Sequence, residues 1–292
     1  MLYILFFWRA IWTPDLLFMI FLMLFVLYGQ GRQFIFSFGP FVLLLLTYEG
    51  LRSFVPYINK HVHYSQMIDF DRWLFHGTLP TIWLQHLLWH GHLVWYDYYF
   101  YILYMCHFLT PLVIGIAIWK LRPAYFNRYV IAFLLLSYAG FITYIVFPAA
   151  PPWMAAQMGY IPHIERIAND VWYSIGVHNF PSIYQKFSPN EVAAVPSLHA
   201  AYPTLMWLFI RRAFGWRWAA AFTWYPISMW IGIIYMGEHY AFDALLGVGY
   251  AVIAYGLTNL LLDRYGIRMR AAWGRWQQRN AAPGLAATQS SD

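Results

Sequence analysis

Apolar runs of membrane-spanning length alternate with short polar clusters along most of the chain. About 20 apolar residues in a helix cross a hydrocarbon core of about 30 Å. The pattern therefore predicts an all-α integral membrane protein, because helices satisfy their own backbone hydrogen bonds in lipid. The apolar runs fall near 13–29, 34–57, 94–119, 129–148, 197–213, 218–236 and 241–262.

The composition excludes two other classes of protein. Of the 292 residues, 61% are hydrophobic and only 10% are charged, whereas a globular chain carries about 25% charged residues. So few charges could not cover a soluble domain, and so much apolar surface is not found in a disordered chain. The single cysteine, Cys106, excludes a disulfide framework and a multi-cysteine zinc site.

The flanking segments predict how the chain is divided. We expect a membrane anchor helix in residues 1–33, a transmembrane domain in 34–263 and a basic, partly disordered cytoplasmic tail in 264–292. The first run is a retained anchor rather than a signal peptide, because no Ala-x-Ala cleavage site follows it. Residues 61–92 mix charged, aromatic and histidine positions, which predicts an amphipathic segment in the membrane interface.

Basic residues predict which loops face the cytoplasm. If every run spans, they gather on one side: Lys120, Arg122, Arg128, Arg211, Arg212, Arg217 and the tail arginines. Loops rich in lysine and arginine stay in the cytoplasm, so the net charge of +6 needs no nucleic-acid partner. The polar segment 148–195 and the starts of the runs at 197 and 241 then lie on the extracytoplasmic face.

Two stretches on that face carry ionisable residues at helix mouths. His239 and Asp243 are four apart, so on a helix they share one face, and the carboxylate can orient the imidazole. Pro196 and Ser197 suit a helix start, with Ser197 as candidate N-cap, and the free N–H groups there attract an anion. His199, in the same turn, could protonate a leaving oxygen.

Two histidines, one carboxylate and a helix N-terminus suit phosphoryl transfer without a metal or cofactor. One histidine attacks phosphorus, the other protonates the departing oxygen, and an alcohol or water then resolves the phosphohistidine. The spacing leaves an alternative open, because polar residues at helix ends also anchor proteins at the membrane interface.

These residues resemble the motifs of a known family. Pro-Ser-Leu-His at 196–199 and His-Tyr-x-x-Asp-x-x-x-Gly at 239–247 are similar to the second and third motifs of the type-2 phosphatidic acid phosphatase superfamily. Phe-Pro-Ala-Ala-Pro-Pro-Trp at 147–153, and His-Phe with a following proline at 107–111, resemble its inositol phosphorylceramide synthase branch. The similarity runs from about residue 69 to residue 262.

The resemblance implies a fold and a set of roles. The fold is a six-helix core bundle with its site at the outer membrane face, to which this chain adds an N-terminal helix and the interfacial segment. Carried over by position, His239 is the nucleophile, Asp243 its orienting carboxylate and His199 the acid and base. Members of the superfamily remove phosphate from lipids or move a phospho-headgroup between lipids.

The chain departs from the wider superfamily pattern in its cations. The usual Lys-x6-Arg-Pro motif is absent, and Gly232 and Ile233 replace a Ser-Arg pair before the third motif. Arg166 and Lys186 are the basic residues nearest to the predicted site in sequence. We prefer Arg166 as the phosphate ligand because a guanidinium grips two oxygens at once, although it could instead anchor to lipid headgroups.

Other polar residues keep more than one interpretation. Glu238 could bind an acceptor hydroxyl or face water, and His107 could hydrogen-bond within the bundle or line a lipid cavity. His86 and His90 are spaced to share a metal or haem, but no carboxylate or cysteine completes a ligand set. Interfacial anchoring explains the two histidines better, and we expect no metal and no cofactor.

The leading hypothesis is a lipid phosphotransferase similar to inositol phosphorylceramide synthase, with a phospholipid donor and a lipid alcohol as acceptor. The alternative is a lipid phosphate phosphatase, of the phosphatidic acid or polyprenyl phosphate type, that uses the same site with water. A non-catalytic lipid transporter or binding protein is disfavoured, because inverted repeats and broken helices are not evident. We expect a bacterial inner-membrane protein with an extracytoplasmic site and no nucleic-acid partner.

Overall fold

The computed structural model describes residues 14–107, 109–174 and 190–280, and for residues 14–18 and 265–280 it describes the backbone alone. Lys186 lies outside the described residues, as do Phe108 and the end of the predicted tail.

The described part of the chain is all-helical. In chain order the helices are α1 (Pro14–Leu27), α2 (Gly31–Arg52), α3 (Val55–Ile58), α4 (Ser65–Leu74), α5 (Pro80–Leu88), α6 (Trp95–Met105), α7 (Leu109–Leu121), α8 (Phe126–Val146), α9 (Pro152–Gln157), α10 (Ile167–Ser174), α11 (Leu198–Phe214), α12 (Trp216–Phe222), α13 (Trp224–Tyr235) and α14 (Ala241–Asn280). A 3₁₀ turn, Pro123–Tyr125, precedes α8. Extended pairing is limited, among the described residues, to two isolated bridges.

Three helical stretches are long and apolar enough to cross a membrane: Gly31–Ile58, Pro123–Val146 and Ala241–Arg264. The bent pair of α6 and α7 makes a fourth if the two helices count as one span. Large apolar side chains face outward from these stretches, such as Phe36 (72% exposed) and Val146 (69% exposed). For α1, α11 and the α12–α13 pair, which are shorter, membrane crossing stays a prediction.

The apolar run at 94–119 forms two helices, α6 and α7, bent by 56°. Pro111 lies in the first turn of α7 and has no N–H to donate to the carbonyl of His107, four residues earlier. A continuous helix therefore does not pass this point. The expectation of unbroken helices, which counted against a transporter, was wrong for this run.

Residues 61–92 form two short helices, α4 and α5, where one amphipathic segment was predicted. Gly77, in the left-handed region at φ 91°, turns the chain between them, and Pro80 begins α5. The indoles of Trp73 and Trp83 are 73% and 55% exposed, which suits aromatic residues at headgroup depth.

Helices α11 and α14 make the most extensive helix–helix contact in the described part of the chain. Buried rings from α2, α8 and α11, among them Phe38, Phe133 and Phe209, fill the centre of the bundle. At the C-terminal end of α11, Arg122 donates from Nε to the carbonyl of Ala213 at 3.0 Å. The predicted cytoplasmic basic cluster thus lies at the opposite end of α11 from the predicted site.

Candidate active site

The start of α11 has the local structure that its sequence predicts. Ser197 is the N-cap, in an extended conformation, and its Oγ accepts a hydrogen bond from the N–H of Ala200 at 3.3 Å. His199 follows in the first turn, where backbone N–H groups are free of helical partners. The N-cap prediction is confirmed, and the turn provides donors that suit an anion.

The start of α14 is arranged differently from the prediction. His239 lies just before the helix, so it does not share a helical face with Asp243. The two side chains still meet, with Nδ1 of His239 3.3 Å from Oδ2 of Asp243. The same oxygen accepts the N–H of Tyr240 at 2.9 Å. Asp243 therefore binds both the imidazole and the backbone of the turn that carries it.

The two helix starts bring the two histidines together. Nε2 of His239 is 3.4 Å from Nδ1 of His199. The backbone N–H of Ser197 donates to the carbonyl of Asp243 at 3.0 Å, which joins the two turns directly. Asp243 is fully buried and His239 is 6% exposed. The two imidazoles thus lie within 3.4 Å of each other, His239 buried and His199 partly buried.

Gly247 explains how α14 can approach this closely. A Cβ atom at Gly247 would lie 2.3 Å from the carbonyl oxygen of Ser197, far inside van der Waals contact. Only a residue without a side chain leaves room for the backbone of the other helix start. The glycine that closes the third motif thus sets the distance between the two motifs.

Aromatic rings fix the orientation of His199. The ring of Tyr104 stacks on it, with centroids 4.2 Å apart and planes 11° apart. His107, in the break between α6 and α7, lies on it at 4.1 Å and stacks in turn on Tyr202 at 4.6 Å. His107 thus both packs within the bundle and borders the site, so the structure combines the two interpretations of this residue.

Arg166 is close to the predicted nucleophile through an ion pair with Glu238. Its Nε and Nη2 lie 2.8 Å and 3.3 Å from the two carboxylate oxygens of Glu238. The guanidinium also lies over the ring of Trp153, 3.9 Å from the centroid. Burial alone would lower the pKa of Arg166, but the Glu238 carboxylate more than offsets this, and the pKa is raised. Arg166 stays charged beside the site.

The Phe-Pro-Ala-Ala-rich turn at 147–153 forms backbone hydrogen bonds with the segments around His63, Val192 and Gly237. Ala149 donates to the carbonyl of Val192 at 2.8 Å, and the N–H of Ala150 donates to the carbonyl of His63 at 2.9 Å. The N–H of Trp153 donates to the carbonyl of Gly237 at 3.1 Å, next to the Glu238 that holds Arg166. This turn therefore supports both the segment leading to α11 and the segment leading to α14.

Two polar residues around the site, Asp71 and Gln85, were not predicted from the sequence. Asp71 of α4 accepts two backbone N–H groups at the start of α14. Gln85 of α5 binds the backbone of Glu165 in both directions, at 2.8 Å and 2.9 Å, and so holds the segment with Arg166. Arg52 and Glu49, three apart on α2, form an ion pair at 3.1 Å.

Two further histidines lie on α5 and just after its end. His86 is on α5, but His90 follows the end of that helix at Leu88, so the two do not share a helical face. Within the described residues no group of three or more histidine, cysteine, aspartate or glutamate side chains is arranged to hold a metal ion.

Comparison with known proteins identifies the family of the chain. The model of the PAP2 superfamily matches residues 65–257, which is well over half of the chain. The chain belongs to the PAP2 superfamily. It is also 29% identical over 269 residues to the phosphoinositol dihydroceramide synthase of Bacteroides thetaiotaomicron, covering 84% of this chain and 87% of that protein. No solved structure matches the chain.

The structure also accounts for one departure from the wider PAP2 pattern. Where a Ser-Arg pair was expected, a Cβ at Gly232 would lie 2.7 Å from the ring of Phe100, and Ile233 is fully buried. These two positions are taken up by packing between α13 and α6. A cation at the site of this PAP2 protein must therefore come from other segments, such as the one that carries Arg166.

Proposed function

We propose that this protein is a membrane-embedded lipid phosphotransferase that moves a phospho-headgroup between lipids through a phosphohistidine at His239. The proposal is carried by the series Asp243–His239–His199, with contacts of 3.3 Å and 3.4 Å. The relative that is 29% identical is named a synthase of phosphoinositol dihydroceramide, which favours transfer to a lipid over hydrolysis.

In the first half of the proposed reaction, Nε2 of His239 attacks the phosphorus of a phospholipid. Asp243 accepts the Nδ1–H, which fixes the tautomer and stabilises the positive charge that the ring acquires. The bond between phosphorus and the glycerol oxygen breaks, and His199 gives its proton to that oxygen. Diacylglycerol leaves, and the headgroup phosphate stays on Nε2.

In the second half, the hydroxyl of an acceptor lipid attacks the same phosphorus. His199, now neutral, takes the hydroxyl proton, and the bond between phosphorus and Nε2 breaks. The product is a new phosphodiester lipid, and both histidines return to their first state. If the donor is instead a phosphomonoester such as phosphatidic acid, and water replaces the lipid alcohol, the same steps release inorganic phosphate, which is the phosphatase reaction.

The phosphate ligands in this proposal come from the start of α11 and from Arg166. The free N–H groups beside Ser197 face the anion. Glu238 occupies Nε and Nη2 of Arg166, and the guanidinium has further N–H donors for a phosphate oxygen. Glu238 would thus orient Arg166 rather than bind the acceptor. We place this site on the extracytoplasmic face of a bacterial inner membrane.

The test uses the full chain, purified in mixed micelles. A panel of phospholipid donors is supplied with or without ceramide or diacylglycerol, and mass spectrometry follows every lipid product and released phosphate. We compare wild type, His239→Ala and His90→Ala, the last being an exposed histidine that follows the end of α5. We expect a new headgroup-bearing lipid from wild type and His90→Ala, and none from His239→Ala.

Two other results would count against the proposal. Release of inorganic phosphate alone, lost in His239→Ala, would make the protein a phosphatase with the same site, and release of headgroup phosphate alone would make it a phospholipase. A product that His239→Ala forms at the wild-type rate would remove the proposed nucleophile altogether.

A further inference from the structure

Asp71 joins the interfacial helix α4 to the start of α14. Its Oδ2 accepts the N–H of Ala241 at 3.0 Å, and its Oδ1 accepts the N–H of Phe242 at 2.9 Å. The side chain is fully buried. Both oxygens therefore bind the first two residues of the helix, which begins two residues after His239.

Together with Asp243, Asp71 binds three successive backbone N–H groups on the turn that carries His239. Asp243 binds the N–H of Tyr240, and Asp71 binds the next two N–H groups along the chain. Backbone N–H groups at a helix start lack helical partners and attract negative charge. The turn that carries His239 is thus held by one carboxylate from its own helix and one from 170 positions earlier in the chain.

We propose that Asp71 is a positioning residue for phosphoryl transfer, which holds the start of α14 so that His239 keeps its contacts with Asp243 and His199. This rests on the proposed function, because it assumes that His239 is the nucleophile. Asp71 does not contact the imidazoles in the described structure. Its effect is on the turn, and through the turn on the direction of Nε2.

The charges around Asp71 are consistent with a carboxylate that binds N–H groups. Burial raises the pKa of Asp71 to about 6, the two backbone N–H groups lower it, and the nearby Asp243 carboxylate raises it again. Tyr240, Arg72 and His239 are further titratable groups at or near this turn. Above a pH of about 6 the group is a carboxylate, and both oxygens accept hydrogen bonds.

The experiment compares three substitutions in the full-length protein in micelles. Asp71→Asn puts an amide N–H₂ against a backbone N–H, so one of the two contacts is lost. Asp71→Glu keeps both acceptor oxygens on a longer arm. Asp69→Asn is the matched control, because Asp69 is exposed on the same helix. The donor KM, kcat and the unfolding midpoint are measured for each.

We expect kcat to fall between about 10-fold and 100-fold in Asp71→Asn, because small displacements of a reacting group have effects of this size. The donor KM should change by less than about threefold, since the phosphate ligands are intact. Asp71→Glu should lie between Asp71→Asn and wild type, and Asp69→Asn should match wild type. A loss of folded protein would also lower the apparent kcat at constant KM, so kcat is calculated per folded protein, and the unfolding midpoint shows that each variant is folded at the assay temperature.

A folded Asp71→Asn with a kcat within about twofold of wild type, or with a change in KM alone, overturns the positioning role. If Asp71→Asn does not fold, Asp71→Glu decides: a folded variant with wild-type kcat overturns the proposal, and a reduced kcat supports it. His239→Ala distinguishes a failure of the proposed function from a failure of the role of Asp71. If it is fully active, the proposed function fails, and if it is inactive while Asp71→Asn is active, only the role of Asp71 fails.

Discussion

The starts of α11 and α14 meet at one site but are held in different ways. At α11 the N-cap is Ser197, whose own side chain binds the first turn at 3.3 Å. At α14 the first N–H groups are bound by Asp243 from within the helix and by Asp71 from α4. The capping contact at the first turn of α11 is thus local, whereas the first N–H groups of α14 depend in part on a distant helix.

This difference predicts that the two helix starts tolerate different substitutions. A local cap forms wherever the helix forms, so its loss weakens one turn and leaves the surrounding packing in place. A buried carboxylate from another element fixes the helix start relative to the bundle, and its loss leaves N–H groups without an acceptor. We therefore expect the geometry at His239 to be more sensitive to distant substitutions than the geometry at His199.

The largest effect is expected where the two starts touch. In Gly247→Ala the new Cβ would lie 2.3 Å from the carbonyl oxygen of Ser197. Because this neighbour is backbone, the helices must move apart, at a cost of about 2 to 3 kcal/mol in the free energy of unfolding. The same movement separates His199 from His239, and we expect kcat to fall about 100-fold.

Gly249→Ala is the control for this substitution. Gly249 lies on the same helix, and a Cβ there would meet no atom within 4 Å. Both substitutions raise helix propensity equally, so the difference between them isolates the contact with Ser197. Equal kcat values for the two variants would show that the close approach of the helices is not needed for the reaction.

A smaller effect is expected from pH, through Asp71. Its pKa in the folded protein, about 6, lies above the ordinary value of 3.8, because burial disfavours the carboxylate. The stabilisation that follows from the raised pKa is complete below pH 4 and is lost as the pH rises through about 6. Between pH 7.5 and pH 5, wild type should gain about 1 kcal/mol relative to Asp71→Asn.

Unfolding of wild type and Asp71→Asn in the same detergent at both pH values measures this gain. Taking the difference between the two proteins removes the contribution of histidines and other groups that titrate in this range. A difference that stays constant, or that grows towards pH 7.5, would mean that Asp71 does not titrate near 6 in the folded protein.

The same distinction between local and distant contacts decides how far the sequence could predict the site. Three features follow from short spacings and from the parity of the membrane spans. They are the N-cap at Ser197, the contact of His199 with His239, and the contact of His239 with Asp243. The contact with Asp243 arises through a turn before α14 instead of along a helical face. The contact was predicted correctly, but it forms through the turn and not through the helical spacing on which the prediction was based.

Contacts between segments that are far apart in the chain could not be predicted from the sequence. Asp71 lies in a stretch with Asp69 and Arg72, and nothing in their order shows which of the three is buried. The pairing of Arg166 with Glu238 joins positions 72 apart, and each residue alone suited several roles. The break at His107 could have been predicted from Pro111, but the apolar run through both residues masked it.

The smallest effect is expected at the locally capped start. Ser197→Ala removes a hydrogen bond of 3.3 Å, and loss of such a cap costs about 0.5 to 1 kcal/mol. The hydrogen bond from Tyr144 to the carbonyl of Pro196, at 2.9 Å, and the one from the N–H of Ser197 to Asp243, at 3.0 Å, remain. His199 should therefore keep its place, and kcat should fall by less than about threefold.

Ser53→Ala is the control, because Ser53 likewise bonds only to backbone near a helix end, the carbonyl of Gly50 at 2.7 Å. Both variants are measured for kcat, donor KM and the unfolding midpoint beside Asp71→Asn. If Ser197→Ala lowered kcat as much as Asp71→Asn, the two helix starts would be equally sensitive. A rise in the donor KM in Ser197→Ala alone would instead show that its hydroxyl binds the phosphate, because removing a substrate contact weakens binding without moving the imidazoles.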